Sequence, residues 1–189
     1  MLGCWTASGL AAAQSPGAGT APAYLIDPTH TFVVFEVDHG GLSTLRGRFD
    51  RKQGAVRFDR AARTGSAEIT IDLSSVSTGV PAWDQQLKGL AFFGAEGASS
   101  ARFTAEAFIF RGDRVASVPG QLTLRGQTRP LTLTATNFNC YGHPMLLREV
   151  CGGDFETTIT RSEWGLGAPA GAAWGDRVRL LVQIEAIRQ

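Results

Sequence analysis

The residues of this chain that could carry acid–base chemistry are few and scattered. There are three histidines, His30, His39 and His143. Only Asp27 and His30 are spaced so that a carboxylate could orient an imidazole as a general base. The segment Asp-Pro-Thr-His is also typical of a turn in which the aspartate binds backbone groups. We expect the turn, and with it a structural role for both residues.

Arg161 and Glu163, in the segment TRSEWG, form a second polar pair. They could hold the head group of a ligand, although an ion pair or turn contact at a strand end is the commoner use of such a pair. The sequence has no Gly-x-Ser-x-Gly, His-Glu-x-x-His or Ser-x-x-Lys motif. We therefore expect no catalytic residues and no enzyme activity. An enzyme that uses Asp27, His30 or Arg161 is the alternative.

Cys140 and Cys151 lie in the segment NCYGHPMLLREVCGG, whose composition indicates a loop. No further cysteine or suitably spaced histidine completes a zinc site, so we expect no metal. We expect a disulfide, which would stabilise the fold by roughly 3 kcal/mol on the chain-entropy account. Such a bond persists in an oxidising compartment. Two buried free thiols in a cytosolic protein are the alternative.

Alternating strands must position these residues. The clearest alternation covers 32–38, and residues 39–41 (His-Gly-Gly) then interrupt it. Paired glycines supply the positive φ of a tight turn, so a second strand over 44–49 completes a hairpin. The apolar faces of the two strands carry Val33, Phe35, Val37, Leu45, Gly47 and Phe49.

Short strands recur along the rest of the chain. One amphipathic helix is predicted over 81–93, with Pro81 near its first turn. About eight to ten strands, without a βαβ rhythm, predict an all-β antiparallel barrel or sandwich with this helix after the fourth strand. The further strands are predicted over 55–59, 66–73, 101–110, 114–118, 121–125, 131–137, 155–161 and 178–187.

Composition limits the partners. A chain of 189 residues with 43% hydrophobic and 19% charged residues is typical of one globular domain. A formal net charge of +1 provides no field that would gather nucleic acid. No segment approaches the roughly 18 apolar residues of a membrane-spanning helix. Nucleic-acid binding and a membrane span are therefore not expected.

The N-terminal segment indicates export. Residues 1–13 are apolar, rich in small side chains and end in Ala-Ala-Ala, which predicts a truncated secretory signal. A Pro/Gly/Ala linker follows over 14–23, and the domain occupies 24–189. The basic region of a secretory signal is missing. Either the start codon is misplaced, or the segment is only a flexible N-terminus. Lipidation of Cys4 also stays open.

The apolar strand faces mix large and small side chains. Phe35 and Phe49 share them with Gly47, Ala105 and Ala107. A barrel of about eight strands with such faces can enclose one small ligand. A filled core, in which large and small residues interdigitate, fits the same pattern.

The order of short motifs is similar to that of the YceI-like, polyisoprenoid-binding, lipocalin-like proteins. The resemblance covers nearly everything from Tyr24 onward, with Gln86 where the family often has His and with an insertion at Cys140 to Cys151. The motifs are Tyr24-x-Ile26-Asp27-x-x-His30, Gly47-x-Phe49, Ser75-Val76-x-Thr78-Gly79, Trp83-Asp84-x-x-Leu87, Gly120-x-Leu122-Thr123-Leu124-x-Gly126-x-Thr128-x-Pro130 and Arg161-Ser162-x-x-Gly165.

The resemblance implies an extended antiparallel eight-stranded lipocalin-like barrel in the periplasm. Its ligand would be a long isoprenoid lipid of the quinone or polyprenyl phosphate type, with no other cofactor, and a homodimer stays open. Each buried methylene contributes about 0.8 kcal/mol, so a long tail can bind with few polar contacts. A non-catalytic, stress-related interaction module with a filled core is the alternative.

Ligand contacts are expected from the inward faces of the strands, with two aromatic residues near a mouth. Alternation places Ala105 and Ala107 on an inward face, where their small side chains leave room for a chain to pass. The expected ligand-contacting residues are Phe35, Phe49, Ile71, Trp83, Phe92, Phe103, Ala105, Ala107, Leu133 and Val182.

Overall fold

The computed structural model describes residues 21–95, 99–167 and 174–189. A short helix, α1 (Pro81–Lys88), follows the strand predicted over 66–73, as expected. The predicted signal segment lies outside the described residues. The strands are β1 (Ala23–Ile26), β2 (Phe32–His39), β3 (Ser43–Phe49), β4 (Lys52–Asp59), β5 (Thr64–Asp72), β6 (Val76–Ser77), β7 (Ser100–Ala105), β8 (Ile109–Arg111), β9 (Arg114–Leu124), β10 (Gln127–His143), β11 (Arg148–Thr160) and β12 (Trp174–Arg188).

The sheet closes on itself through β12. One edge of this long strand pairs with both β1 and β2, which form one wall strand interrupted at 27–31. Strands β3 and β4 form a second interrupted wall strand, and β7 and β8 a third, since both pair with β9. Counted this way, the wall has eight antiparallel strands, which confirms the expected barrel. Within the described residues no helix is long and apolar enough to cross a membrane.

The first hairpin is formed as predicted. Strand β2 pairs with β3, and Gly40 and Gly41 in the connecting turn have φ of 62° and 72°. Phe35 lies opposite Gly47, and a Cβ at position 47 would overlap the Phe35 ring. A side chain at position 47 would therefore displace the Phe35 ring, which glycine allows to approach closely.

The second long hairpin is more extended than predicted. The segment expected to be a loop is strand almost throughout, because β10 continues to His143 and β11 begins at Arg148. Cys140 and Cys151 face each other directly in this ladder, with 4.1 Å between their Cα atoms, and are joined by a disulfide. The expected disulfide is confirmed. Strand pairing outweighed the weak strand propensity of the local glycines.

The expected helix over 81–93 is too long by one and a half turns. Helix α1 ends at Lys88, because Gly89 leaves helical geometry with φ −64° and ψ 164°. The backbone then folds back, and Phe93 N–H donates to Leu87 O at 3.0 Å. This return places Phe92 and Phe93 over the end of the barrel.

The predicted strand over 101–110 is interrupted at 106–108. Phe103 and Ala105 are buried as expected, but the break shifts the alternation by one residue. Phe108 and Phe110 therefore pack inward, while Ala107 is exposed. The expectation that Ala107 faces the interior is wrong, since a one-residue irregularity moves later side chains to the other face.

Candidate ligand-binding cavity

The barrel interior is hollow at the end covered by α1. A cavity of about 430 Å³ lies there, within the roughly 300–1,000 Å³ range of small-molecule sites. Its wall is almost wholly apolar. The main wall residues are Val33, Phe35, Val37, Phe49, Leu73, Leu122, Leu124, Ile159, Val178 and Leu180.

A second, smaller cavity of about 120 Å³ continues deeper into the barrel. The two cavities share four wall residues, Val33, Ile71, Leu122 and Leu180, so they adjoin along the barrel interior. The sequence was also compatible with a filled core. The described residues instead enclose two cavities. Together the two chambers make an elongated apolar space.

Aromatic side chains pack across the deep end. The Phe58 ring lies 6.3 Å from the Tyr24 ring and 5.4 Å from the Phe138 ring, between centroids. Tyr24 Oη donates to Glu149 Oε1 at 2.5 Å. Burial, together with this carboxylate, raises the pKa of Tyr24 to about 12, so the phenol stays protonated. The deep end is apolar inside, with its polar groups paired outside.

Two arginines hold the segments that surround the wide end. Arg125 Nη1 donates to Phe92 O at 2.6 Å and to Gly165 O at 2.5 Å. The buried Arg161, on a 3₁₀ turn after β11, donates to Leu166 O at 2.7 Å through Nη1. Its Nε donates to Gly175 O at 3.0 Å. Glu163, the predicted partner of Arg161, is exposed.

The polar groups of the wide cavity are cationic or neutral. Arg46 and Arg161 are the charged side chains among the described wall residues, and Thr78 and Gln86 add neutral ones. Arg46 Nε also donates to Glu36 Oε1 at 2.7 Å. Guanidinium and amide groups bind oxygen acceptors well. This end therefore suits a ligand whose head group carries acceptor oxygens.

Most of the expected contact residues border the two cavities. Ala105 is buried but lines neither cavity, and Ala107 is exposed on the surface. Ile71 borders both chambers. The wide chamber has Phe35, Phe49, Trp83 and Phe92, and the deep chamber has Phe103, Leu133 and Val182.

Several wall residues were not among those expected. Leu180 borders both chambers, and alternation could have found it two residues before Val182. Leu87 lies on the inner side of α1 at a helical spacing from Trp83. Trp174 lines the wide cavity and packs against His39, 5.6 Å between ring centroids, which no local pattern indicated.

Asp27 and His30 form the expected turn. Thr29 Oγ1 donates to Asp27 Oδ1 at 2.6 Å, and His30 Nδ1 lies 2.8 Å from Asp27 Oδ2. These hydrogen bonds lower the pKa of Asp27 to about 2. The bond to Asp27 raises the pKa of His30, whose side chain is 64% exposed. Both residues lie outside the two cavities.

A closed antiparallel barrel with an elongated apolar interior defines a lipocalin-like, small-molecule-binding class of protein. The chain belongs to the YceI-like domain family, whose pattern matches residues 24–186.

Curated relatives of this chain have a similar length. A UPF0312 protein of Vibrio cholerae is 33% identical over 133 residues, which cover 68% of this chain and 70% of that protein. A UPF0312 protein of Pseudomonas putida W619 is 29% identical over 183 residues, covering 93% of this chain and 91% of the relative.

Solved structures share the barrel. BcnA of Burkholderia cenocepacia has a TM-score of 0.68 at 23% identity, covering 85% of this chain and 98% of that one. The YCEI protein of Campylobacter jejuni has a TM-score of 0.68 at 21% identity, covering 78% and 87%. A polyisoprenoid binding domain from Saccharophagus degradans, implicated in plant cell wall breakdown, has a TM-score of 0.61 at 17% identity, covering 89% and 99%.

Proposed function

We propose that this protein binds a long isoprenoid lipid inside the barrel and carries or sequesters it in the periplasm, without converting it chemically. The observation that carries the proposal is the wide apolar cavity of about 430 Å³ and its continuation into the deep chamber. Membership of the YceI-like family supports it. The likeness of the fold to a polyisoprenoid binding domain supports it as well.

Burial of methylene and methyl groups would supply the binding free energy. Each buried methylene contributes about 0.8 kcal/mol, so several isoprene units need few polar contacts. Two adjoining chambers favour a chain over a compact ligand, because a chain would extend from the wide chamber past Ile71 and Leu180 into the deep one. The tail would then end near Tyr24 and Phe58.

We place the head group at the wide end, near Arg46 and Gln86. These side chains donate hydrogen bonds, and the carbonyl oxygens of a quinone or the oxygens of a phosphate accept them. An ammonium head group is disfavoured because it would meet the Arg46 guanidinium group. A quinone or a polyprenyl phosphate therefore fits the described wall.

The rival function is an enzyme that uses Asp27, His30 or Arg161. Two observations weigh against it. Asp27 and His30 bind one another and Thr29 in an exposed turn outside the cavities. Arg161 donates to backbone carbonyl groups that shape the mouth. Each residue thus has a structural use.

The periplasmic location rests on the Cys140–Cys151 disulfide and on the apolar N-terminal segment. An oxidising compartment preserves such a bond, whereas the cytosol reduces it. Fractionation of cells that express the full chain tests this location. We expect to recover the protein in the periplasmic extract.

Native mass spectrometry of the purified protein, followed by organic extraction, tests the binding proposal. The expected result is a mass increment that extraction releases as a prenyl lipid. A barrel that stays empty after expression and after incubation with quinone or polyprenyl phosphate would overturn it. Turnover of a small substrate that is lost in His30→Ala would favour the enzyme instead.

A further inference from the structure

Large apolar side chains are exposed around the wide end of the barrel. Leu42, in the β2–β3 turn, is 88% exposed, and Leu90, just after α1, is 76% exposed. Val80 and Trp83, at the start of α1, are each 38% exposed. We call these four residues the rim. Three of them lie in or beside α1, and Leu42 comes from the separate β2–β3 turn.

One rim residue is also part of the cavity wall. Trp83 belongs to both, since it lines the wide cavity and is partly exposed. Leu90 directly precedes Ala91 and Phe92, which line the cavity, and Leu42 lies three residues before Leu45, which also does. At Trp83, the apolar wall of the cavity therefore reaches the outside of the barrel. Exposed apolar patches of this kind mark interaction sites.

The class of ligand indicates that the partner of this surface is a lipid bilayer. An isoprenoid lipid resides in a bilayer and would have to cross water to reach a barrel that stayed in solution. A mouth placed against the bilayer removes that step, because the tail can move along one apolar path. Tryptophan is favoured at the boundary between head groups and acyl chains, which suits Trp83.

Basic side chains lie beside the rim. Lys88 lies in the last turn of α1, two residues before Leu90, and Arg46, whose side chain is 63% exposed and forms an ion pair with Glu36, follows Leu45. Long basic side chains place their stems along apolar surface and their charges at phosphate groups. The nearby Asp84 is turned back toward the chain, since its Oδ1 accepts from Thr78 N–H at 2.7 Å.

We propose that the rim docks on the surface of a phospholipid bilayer, so that the wide end of the barrel exchanges its ligand directly with the membrane. This inference rests on the proposed function, because an isoprenoid ligand is what makes the bilayer the partner. Contact through a few inserted side chains is weak enough to be reversible. The net charge of +1 adds little attraction to an anionic membrane surface.

Vesicle flotation tests the proposal with variants matched at the two ends of the barrel. The rim variant is Leu42→Asp with Leu90→Asp. The control is Leu147→Asp with Met145→Asp in the β10–β11 turn at the opposite end, where Leu147 is 88% and Met145 84% exposed. The vesicles contain phosphatidylethanolamine and phosphatidylglycerol. Thermal unfolding confirms that each variant is folded.

The rim variant should bind vesicles about tenfold more weakly for each leucine that leaves the acyl boundary, and the control should bind like the unchanged protein. Equal binding by the rim variant, or loss confined to the control, would overturn the proposal. Lipid extraction from the same samples separates the two ideas. If the unchanged protein holds prenyl lipid but does not bind vesicles, the docking proposal alone is contradicted. If the barrel binds vesicles through the rim but never takes up lipid, the proposed function alone is contradicted.

Discussion

The Phe35 ring occupies the space that a side chain at Gly47 would need. The two residues face each other across β2 and β3, and a Cβ built on Gly47 would overlap the far end of the ring. Phe35 lines the wide cavity, so the glycine sets how far the ring lies from the centre of the barrel.

Gly47→Ala should push the Phe35 ring into the wide cavity. We expect a loss of stability of about 1 to 3 kcal/mol, as for other overpacked sites, and a lower content of bound lipid. Urea unfolding and organic extraction measure the two effects. Gly142→Ala in β10 is the control, because a Cβ there meets nothing within 4 Å. Equal effects of the two substitutions would contradict this role for Phe35.

Leu180→Trp should block the extension of a bound tail from one chamber into the other, since Leu180 borders both. The unoccupied space can accept the larger ring, so the fold should survive with a loss below about 3 kcal/mol. Binding should shift toward shorter prenyl chains, as measured by competition between chain lengths in native mass spectrometry. Leu181→Trp, one residue on and facing outward, is the control. An unchanged length preference in Leu180→Trp would show that the tail does not pass Leu180.

Arg125→Ala should make the segments around the wide end of the barrel less firmly held. It removes donors to Phe92 O and Gly165 O, and hydrogen bonds from charged groups contribute roughly 1.5 to 3 kcal/mol each. Bound lipid should exchange faster, measured by transfer to acceptor vesicles. Arg63→Ala is a matched control at the β4–β5 turn, since Arg63 and Arg125 both have positive φ, 54° and 50°. If both variants speed transfer alike, backbone strain rather than the mouth contacts is the cause.

Asp27 should add a pH-dependent contribution to stability. Its pKa is lowered to about 2 in the folded protein from an ordinary 3.8, first by the Thr29 and then by the His30 hydrogen bonds. The ionised form is thus favoured by folding, so this stability is present above about pH 4 and is lost as the pH falls toward 2. We expect roughly 1 kcal/mol, less than the full pKa shift implies, because solvent screens the pair.

Asp27→Asn removes this contribution. The difference in free energy of unfolding between the two proteins, measured from pH 7 to pH 2, should shrink across the acid limb. A constant difference over that range would show that the turn does not depend on the carboxylate charge.

The Cys140–Cys151 disulfide should stabilise the protein by roughly 3 kcal/mol. Cys140→Ser with Cys151→Ser should therefore unfold at lower urea concentration, while Phe138 and Phe155 keep the hairpin packed on the core. Peptide mapping without reduction checks the bond directly. Alkylation of both cysteines in protein taken from its native compartment would contradict both the disulfide and the periplasmic location.

The sequence alone determined the features that depend on neighbouring residues. The β2–β3 hairpin follows from alternation ended by paired glycines, and α1 begins at a proline that suits a first turn. The turn at Asp27 also follows from four adjacent residues. Even so, the end of α1 and the break at 106–108 escaped prediction, because one residue of irregularity is invisible against the average pattern.

Closure of the barrel determined which side chains share its interior and which distant residues meet. Which side chains share the interior depends on the register with which β12 meets β1 and β2, and a register is a property of two strands. That closure placed Leu180 between two chambers and brought Arg125 to the carbonyl groups of Phe92 and Gly165, residues 33 and 40 positions away in the sequence. Alternation along one strand identifies an apolar face. Whether opposing faces meet or leave a cavity depends on the ring diameter and on the size of side chains across it, which only the folded barrel defines.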